Sequence, residues 1–578
     1  PGTHTCAEAQ ASSAGECRGR SAVGGARERT PVSKGGSAGE QIRQVYVFVI
    51  KMTSSQLSRG LEKNPPDMRT NTLSTSARND RLFRIAIIAI IMFGMILRAS
   101  KYLPGWLMRG DELAVMRNLI NRSAMDLMTK PLHNEQAAPF GFVLSIKTLI
   151  TIFGRSEYVL RLPAFLAGCF SLILMQSLLT KTGKRYGNIF ALAGFAFGDY
   201  LIYYSAELKQ YSTDVLLCLI LLLAFYQHLD KETTAKDFIV LTALGTLALC
   251  FSYTALFIIA GIGITLLIHY WRNSQKLRWI ALTGMIWMGT FLALYFLLLR
   301  QQTQDPYLIT FWDNLLSFMP MPPWRDLSWF PKARDGLFFV VAGLSSSVVF
   351  VIPIYALGLW GFLKEKKWQW ALVLTIPVGL NIVVSGFQKY PFHGRLILYL
   401  LPLIFIVLGK GIDLLIGLSY NRVFANAAFA ALIILLLRPV IPTTNSYLLT
   451  HSYLNEELKS VFSFLEEHHQ DDDLLYLYHS VGSKYIYYAP VFNLEKSPYI
   501  MGQNNSGNIK KYQTELAALP RGQRIWFVFS HVVQAKVRKG KSQDEREYIL
   551  KYLKENGALL NEFYSVNNVS SAHLFILK

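Results

Sequence analysis

The sequence predicts a mainly α-helical, polytopic membrane protein with about eleven transmembrane helices and a small C-terminal extracytoplasmic α/β domain. Of its 578 residues, 52% are hydrophobic and only 17% are charged, and the mean hydropathy is +0.28. Charged residues concentrate towards both ends, whereas residues 85–441 form a succession of apolar runs with short polar breaks. This composition excludes a cytosolic enzyme and an intrinsically disordered chain.

The net charge of +20 reflects membrane topology rather than a nucleic-acid partner. Lys and Arg mostly flank the apolar runs, and no basic stripe with interleaved aromatic residues occurs. The five cysteines are too few and too scattered for a disulfide framework. Residues 1–81 begin with Pro1 and are rich in Gly, Ser, Arg and Thr, so we expect a disordered or artefactual extension.

Twelve apolar runs are candidates for membrane helices, and the charges exclude one of them. They lie at 82–99, 136–153, 159–180, 189–204, 212–229, 238–253, 254–271, 279–299, 336–362, 369–387, 395–417 and 423–441. If all crossed from a cytoplasmic N-terminus, the basic loop with Lys181, Lys184 and Arg185 would face outward, against the positive-inside tendency. The weakest run, 136–153, carries Lys147 in its middle, so we interpret it as an interfacial helix.

Eleven spans then place four segments and the tail outside the cytoplasm. The segments are 99–158, 205–212, 300–336 and 388–394, and the membrane domain covers 82–445. The tail, 446–578, alternates amphipathic helices (456–468 and 545–555) with apolar strands (474–478 and 525–529), which predicts an α/β domain. A bacterial inner membrane is the expected location.

The candidate site residues lie in these external segments. Asp111 and Glu112 are adjacent carboxylates that can act as a base or hold a divalent ion, although acids also suit a helix start. Crowded ionisable groups at 205–214 indicate a binding site rather than a solvated turn; they are Glu207, Lys209, Tyr211 and Asp214. The loop before the run at 395–417 contains Lys389, His393 and Arg395. These side chains either bind a lipid-borne phosphate or extend towards the membrane–water interface.

Two further features leave alternatives open. Arg161 stands near the membrane boundary, where it can neutralise the acids or extend towards the interface. His133, Asn134 and Glu135 are a weak metal-binding signal. No cofactor is therefore assigned, and a divalent metal is left open.

Several motifs together resemble the GT-C superfamily of membrane glycosyltransferases, within it the family 39 group of protein O-mannosyltransferases and lipid A aminoarabinose transferases. They are Arg-Gly-Asp-Glu at 109–112, Ala-Pro-Phe-Gly-Phe at 138–142, Gly-Arg-Ser-Glu-Tyr-Val-Leu-Arg-Leu-Pro at 154–163, and Tyr-Tyr-Ser-Ala-Glu-Leu-Lys-Gln-Tyr-Ser-Thr-Asp at 203–214. The resemblance covers roughly 82–420.

The resemblance implies transfer of a sugar from a polyprenyl-phosphate donor on the extracytoplasmic face, with inversion. The resemblance also implies that Asp111 is the general base for the acceptor hydroxyl, that Glu112 assists it, and that His393 and Arg395 bind the lipid phosphate. The acceptor, a glycan, lipid or protein, is not identified, and no nucleic acid is implied. A transporter or flippase of lipid-linked sugars is the alternative, but its charges are expected at mid-membrane, often with repeated halves. A receptor or scaffold would leave the acidic pair dispensable.

Overall fold

The computed structural model describes residues 71–578, apart from short gaps. The gaps are 106–107, 131, 134–135, 231, 301–303, 345–347, 419–421, 439–441, 443–457, 506–507, 531, 533, 538–540 and 566–567. Most of the predicted N-terminal extension, residues 1–70, lies outside the described residues. The first helix begins at Asn71 rather than at residue 82, so the end of that extension is helical.

Helices make up nearly all of the described membrane part. In chain order they are α1 Asn71–Tyr102, α2 Gly110–Asn121, α3 Ala124–Thr129, α4 Phe140–Phe153, α5 Glu157–Thr182, α6 Arg185–Phe197, α7 Asp199–Tyr203, α8 Tyr211–Asp230, α9 Ala235–Phe251, α10 Ala255–His269, α11 Ser274–Leu294, α12 Pro306–Asn314, α13 Trp329–Asp335, α14 Val348–Lys364, α15 Trp368–Gly386, α16 Leu401–Gly417 and α17 Arg422–Leu437. π-helical turns follow α11 and α13, at Tyr295–Leu299 and Gly336–Val341.

Within the described residues, six helices are long and apolar enough to cross a membrane, or seven if a bent pair counts as one span. The six are Asp80–Tyr102, Glu157–Thr182, Tyr211–Leu229, Ser274–Leu299, Trp368–Gly386 and Gly394–Gly417. The protein is therefore a multi-pass membrane protein with a mainly helical fold. The total of eleven spans stays a prediction.

Two predicted runs are interrupted in the structure. The run at 189–204 bends by 53° between α6 and α7, where the buried Arg98 of α1 donates to the carbonyl of Ala196 at 2.8 Å. The run at 336–362 divides into the π-helical turn and α14. Hydropathy continues through both breaks because the residues on either side are apolar, so a composition window cannot detect them.

The run at 136–153 becomes the short helix α4. It has 14 residues, about 21 Å at 1.5 Å per residue, which is less than the hydrocarbon thickness of about 30 Å. Ile152 and Phe153 near its end are exposed. These dimensions suit an interfacial position better than a crossing.

The basic loops assigned to the cytoplasm share contacts at one end of the bundle. Lys410 of α16 pairs with Glu365 after α14 at 2.6 Å. Three residues later, Asp413 accepts from the backbone N–H of Gly187 in α6 at 2.7 Å. The helical run that contains α16 begins at Gly394, so Arg395 lies at the end of the bundle opposite to these contacts.

The tail folds around a five-stranded sheet. Its strands are β1 Leu474–Leu477, β2 Tyr499–Met501, β3 Arg524–Ser530, β6 Gly557–Tyr564 and β7 Ser570–Leu577, in the order β2-β1-β3-β7-β6. β1 pairs in parallel with β2 and β3, whereas β7 pairs antiparallel with β3 and β6. A separate hairpin contains β4 Gln534–Val537 and β5 Lys541–Asp544.

Four helices cover this sheet and enclose an apolar core. They are α18 Lys459–His468, α19 Gly482–Tyr488, α20 Ile509–Ala517 and α21 Glu545–Asn556. Trp526 of β3 is fully buried in the core, and its indole N–H donates to Asp473 at 2.9 Å. The sheet thus has its own core, but the residues from Arg78 to Lys578 form a single compact unit.

Candidate active site

The two adjacent acids at the start of α2 have different surroundings. Glu112 is completely buried, and the guanidinium of Arg161 donates to its two oxygens at 2.8 and 2.6 Å. The backbone N–H groups of Leu208 and Arg109 donate to the same carboxylate at 2.7 and 3.1 Å. Glu112 therefore joins the segment 99–158 to α5 and to the turn before α8.

These contacts keep Glu112 ionised. Burial alone would raise the pKa of its carboxyl, but the charge and hydrogen bonds of Arg161 and the two backbone N–H groups outweigh burial and lower the pKa to about 2. A carboxylate with four donors and so low a pKa is a poor proton acceptor at neutral pH. Arg161 is occupied by the same contact and does not line the cavity described below.

Asp111, one residue earlier, is half exposed and pairs with Arg395 at 2.8 Å. The two residues are 284 positions apart, so this contact joins the segment 99–158 to the segment before α16. The guanidinium of Arg395 also lies over the ring of Tyr211, with its carbon 5.8 Å from the ring centroid.

The turn before α8 is buried, not solvated. Glu207 pairs with Lys101 of α1 at 2.7 Å, and Lys101 also lies over the ring of Tyr203. Lys209 donates to Gln136 Oε1 at 2.7 Å. One carboxylate oxygen of Asp214 is buried without a hydrogen-bond partner among the described residues.

Burial also shifts the titration of Lys209. Loss of solvent lowers the pKa of its amine to about 8, with Arg395 acting in the same direction and Asp111 opposing it. The amine therefore changes charge close to physiological pH.

These residues meet at a cavity of about 630 Å³. The predicted site residues that line it are Asp111, Lys209, Tyr211, Asp214, Lys389 and Arg395. All four segments that the charge pattern assigns to the outside, 99–158, 205–212, 300–336 and 388–394, contribute to its wall. The remaining wall is mostly apolar and aromatic; it comes from the turn before α10, the start of α10, the end of α11 with its π-helical turn, and α12.

The segment around α12 is fastened to the loop that precedes Arg395. The backbone N–H of Phe392 donates to the carbonyl of Ser317 at 2.8 Å. The ring of His393 lies 6.2 Å from that of Trp312, a cavity residue. His393 itself does not line the cavity, and burial together with Arg395 lowers the pKa of its imidazole.

Comparison with known proteins supports the interpretation of these motifs. Residues 137–296 match the family described as dolichyl-phosphate-mannose-protein mannosyltransferase. This match confirms the resemblance to GT-C membrane glycosyltransferases. It includes Arg161 and the turn at 207–214, whereas Asp111 and Arg395 lie outside it. A comparison with curated proteins gives no match.

Three solved structures are similar to this chain at low identity. ArnT from Cupriavidus metallidurans in the apo state is 13% identical over 86% of this chain and 98% of its own, with a TM-score of 0.42. ArnT from Cupriavidus metallidurans bound to undecaprenyl phosphate is 13% identical over 85% of this chain and 97% of its own, with a TM-score of 0.43. The Archaeoglobus fulgidus oligosaccharyltransferase in complex with Zn and sulfate is 11% identical over 84% of this chain and 73% of its own, with a TM-score of 0.44.

The described residues of the protein do not offer a metal site. No group of three or more His, Cys, Asp and Glu side chains lies close enough together among them. A divalent cation needs several acidic or polar ligands. Asp111 and Asp214 line the cavity, but the oxygens of Glu112, the acid next to Asp111, already bind Arg161. Of the predicted ligands, Asn134 and Glu135 lie outside the described residues, while the backbone of His133 is bound to Asn118.

Several residues at or next to the cavity were not singled out from the sequence. Gln136 is the partner of Lys209, and Lys101 is the partner of Glu207. Phe291, at the end of α11, and Tyr295, in the π-helical turn after it, form part of the apolar wall. The aromatic residues looked like ordinary membrane-helix residues, since nothing in their spacing separates a cavity face from a lipid face.

Proposed function

We propose that the protein transfers a sugar from a polyprenyl-phosphate donor to an acceptor at the extracytoplasmic face of a bacterial inner membrane, with inversion and with Asp111 as the general base. One observation carries this proposal: Asp111 and Arg395 meet at a cavity that also contains Lys209 and Lys389 and has an apolar aromatic wall. A carboxylate, several cations and an apolar slot are the groups that this reaction requires.

The cations suit the phosphate of the donor. Arg395 has an Nε without a hydrogen-bond partner among the described residues, and its fork of donors matches phosphate oxygens. Lys209 and Lys389 also line the cavity. When the bond to the sugar breaks, the phosphate gains negative charge, which fixed cations stabilise.

The apolar wall suits an isoprenoid tail. Phe291, Tyr295 and Leu299 succeed one another every four residues from the end of α11 through its π-helical turn, so they share one face, and each is half buried beside the cavity. The matched family is described by a dolichyl-phosphate-linked donor, and dolichyl phosphate is a polyprenyl-type phosphate.

The reaction balances with the groups at hand. The acceptor oxygen attacks the anomeric carbon, the bond from that carbon to the phosphate oxygen breaks, and the phosphate leaves with the electron pair. Asp111 takes the acceptor proton. Its present partner, Arg395, is also the best phosphate ligand, so a bound donor competes for the guanidinium and releases the carboxylate for this role.

Glu112, Glu207 and Arg161 have a positioning role in this mechanism. Glu112 and Arg161 fix the segment that carries Asp111, and the pair formed by Glu207 and Lys101 fixes the turn that carries Lys209. Tyr211 and Asp214 form part of the cavity wall.

Replacement of Asp111 by Asn tests the function. Purified protein is incubated with polyprenyl-phosphate sugars, and products are identified by mass spectrometry. General-base catalysis contributes on the order of 100-fold to 10,000-fold, so D111N should lose at least about 100-fold in turnover. The matched control is D126N, because Asp126 is an acid of the same segment that pairs with Lys130 outside the cavity. Unchanged turnover in D111N would remove Asp111 from this role, and movement of donor across the bilayer without transfer would favour the flippase alternative.

A further inference from the structure

The tail contacts the first external segment through one buried tyrosine. Tyr488, the last residue of α19, is only 1% exposed. Its hydroxyl accepts a hydrogen bond from the backbone N–H of Met108 at 3.0 Å and donates one to Glu157 Oε1 at 2.9 Å. Met108 and Tyr488 are 380 positions apart.

A lysine of the tail completes the same contact. Lys459, at the start of α18, pairs with Glu157 at 2.6 Å and donates to the carbonyl of Gly105 at 2.5 Å. Its amine lies 5.6 Å from the centroid of the Tyr488 ring. Glu157 thus binds two side chains of the tail, and both of these also bind the backbone before α2.

We infer that Tyr488 is a positioning residue for Asp111, so that the C-terminal α/β domain is a part of the catalytic unit. This inference rests on the proposed function. Asp111 lies between two fixed points, the backbone of Met108, held by Tyr488, and the carboxylate of Glu112, held by Arg161. Glu157 and Arg161 both belong to the first turns of α5, which therefore anchors both points.

Apolar packing seals the contact around the hydrogen bonds. Tyr487 packs against the buried cluster that contains Met108 and Leu113. Its hydroxyl makes one long hydrogen bond, at 3.4 Å, to the carbonyl of Arg155. The two neighbouring tyrosines therefore differ: the hydroxyl of Tyr488 is buried and doubly bonded, while that of Tyr487 contributes little.

Loss of the Tyr488 hydroxyl should affect chemistry more than donor binding. The N–H of Met108 would lose its acceptor, and the start of α2 could shift relative to the cavity. Displacements of about 1 Å can cost on the order of 100-fold in rate. The cations that bind the donor lie on other segments, which the tail does not hold through Tyr488.

The test compares Y488F with Y487F in the full-length protein. For Y488F we expect kcat to fall about tenfold with the donor KM changed less than twofold, whereas Y487F should match the unmodified protein. A second readout does not need activity: amide hydrogen exchange in the peptide that contains Met108 should accelerate in Y488F and not in Y487F.

Each outcome decides between the proposals. Equal exchange and equal kcat in the two variants would overturn the positioning role. If amide exchange at Met108 is faster in Y488F but the unmodified protein transfers no sugar, the contact between Tyr488 and Met108 is supported and the proposed transferase function is rejected. If Y488F does not fold, K459M replaces it as the test variant, and K459R, which keeps the charge, serves as its conservative control. Unchanged amide exchange and unchanged kcat in K459M would also overturn the inference.

Discussion

At the scale of single residues, Lys209 should make donor binding depend on pH if the proposed function holds. Its pKa is lowered to about 8, mainly by burial, so the amine is charged below pH 8 and neutral above it. A neutral amine attracts a phosphate less strongly. We therefore expect the donor KM to rise as pH increases from 7 to 9.5, with the change centred near pH 8.

Replacement by arginine separates Lys209 from other titrating groups. Arg stays charged across this range, so K209R should show a donor KM that no longer rises near pH 8. K147R is the matched control, because Lys147 donates to the carbonyl of Leu119 at 2.6 Å and does not line the cavity. Persistence of the same inflection in K209R would show that another group causes it.

The adjacent acids illustrate what residue-level patterns can and cannot predict. The sequence indicated that Asp111 and Glu112 belong to a site, but it assigned them similar roles. Successive residues of a helix point about 100° apart, so one can face the core while its neighbour faces a cavity. The partner of Glu112 is Arg161, 49 positions away, and only the fold brings the two together.

At the scale of elements, the apolar face of α11 and its π-helical turn should determine tail-length preference. Phe291 lines the cavity, and removal of a buried Phe ring costs about 1.5 kcal/mol or more, roughly tenfold in affinity. F291A should therefore raise the KM for long polyprenyl donors about tenfold and leave the KM for short-chain analogues nearly unchanged.

The same helical run offers the control. Phe296 is 63% exposed and does not line the cavity, so F296A should leave both KM values close to those of the unmodified protein. Steady-state transfer measured with donors of different isoprenoid length provides the readout. Equal effects of F291A on long and short donors would place the tail elsewhere.

Helix positions were more predictable than helix continuity. The candidate run at 159–180 lies within α5, and the run at 212–229 lies within α8, because long apolar stretches leave few alternatives in a membrane. The break between α6 and α7 was not predicted, since it depends on Arg98, a residue of another helix that bonds the carbonyls at the break. Such compensation has no signature within the run itself.

At the scale of the whole molecule, contacts between distant segments were the least predictable feature. The sequence suggested helices and strands in the tail, but gave no indication that Tyr488 would bind the backbone next to Met108. Local hydrophobic patterns specify which face of an element is buried. They do not specify the partner when several hundred residues intervene.

The contact between the tail and the first external segment also constrains topology. Because Lys459 and Tyr488 bind the backbone of Gly105 and Met108, the tail and that segment must lie on the same side of the membrane. The ion pair between Lys410 and Glu365 lies at the other end of the bundle, together with the basic loop of Lys184. An impermeant thiol reagent can therefore separate the two faces.

Cysteines are introduced singly at exposed positions in a variant without the five natural cysteines. M125C in the first external segment and K496C in the tail should react from outside in intact cells. K184C should react only after the membrane is permeabilised, because a short basic loop is retained in the cytoplasm. Labelling of K184C in intact cells would reject the eleven-span arrangement, and different accessibility of M125C and K496C would contradict the contact at Tyr488.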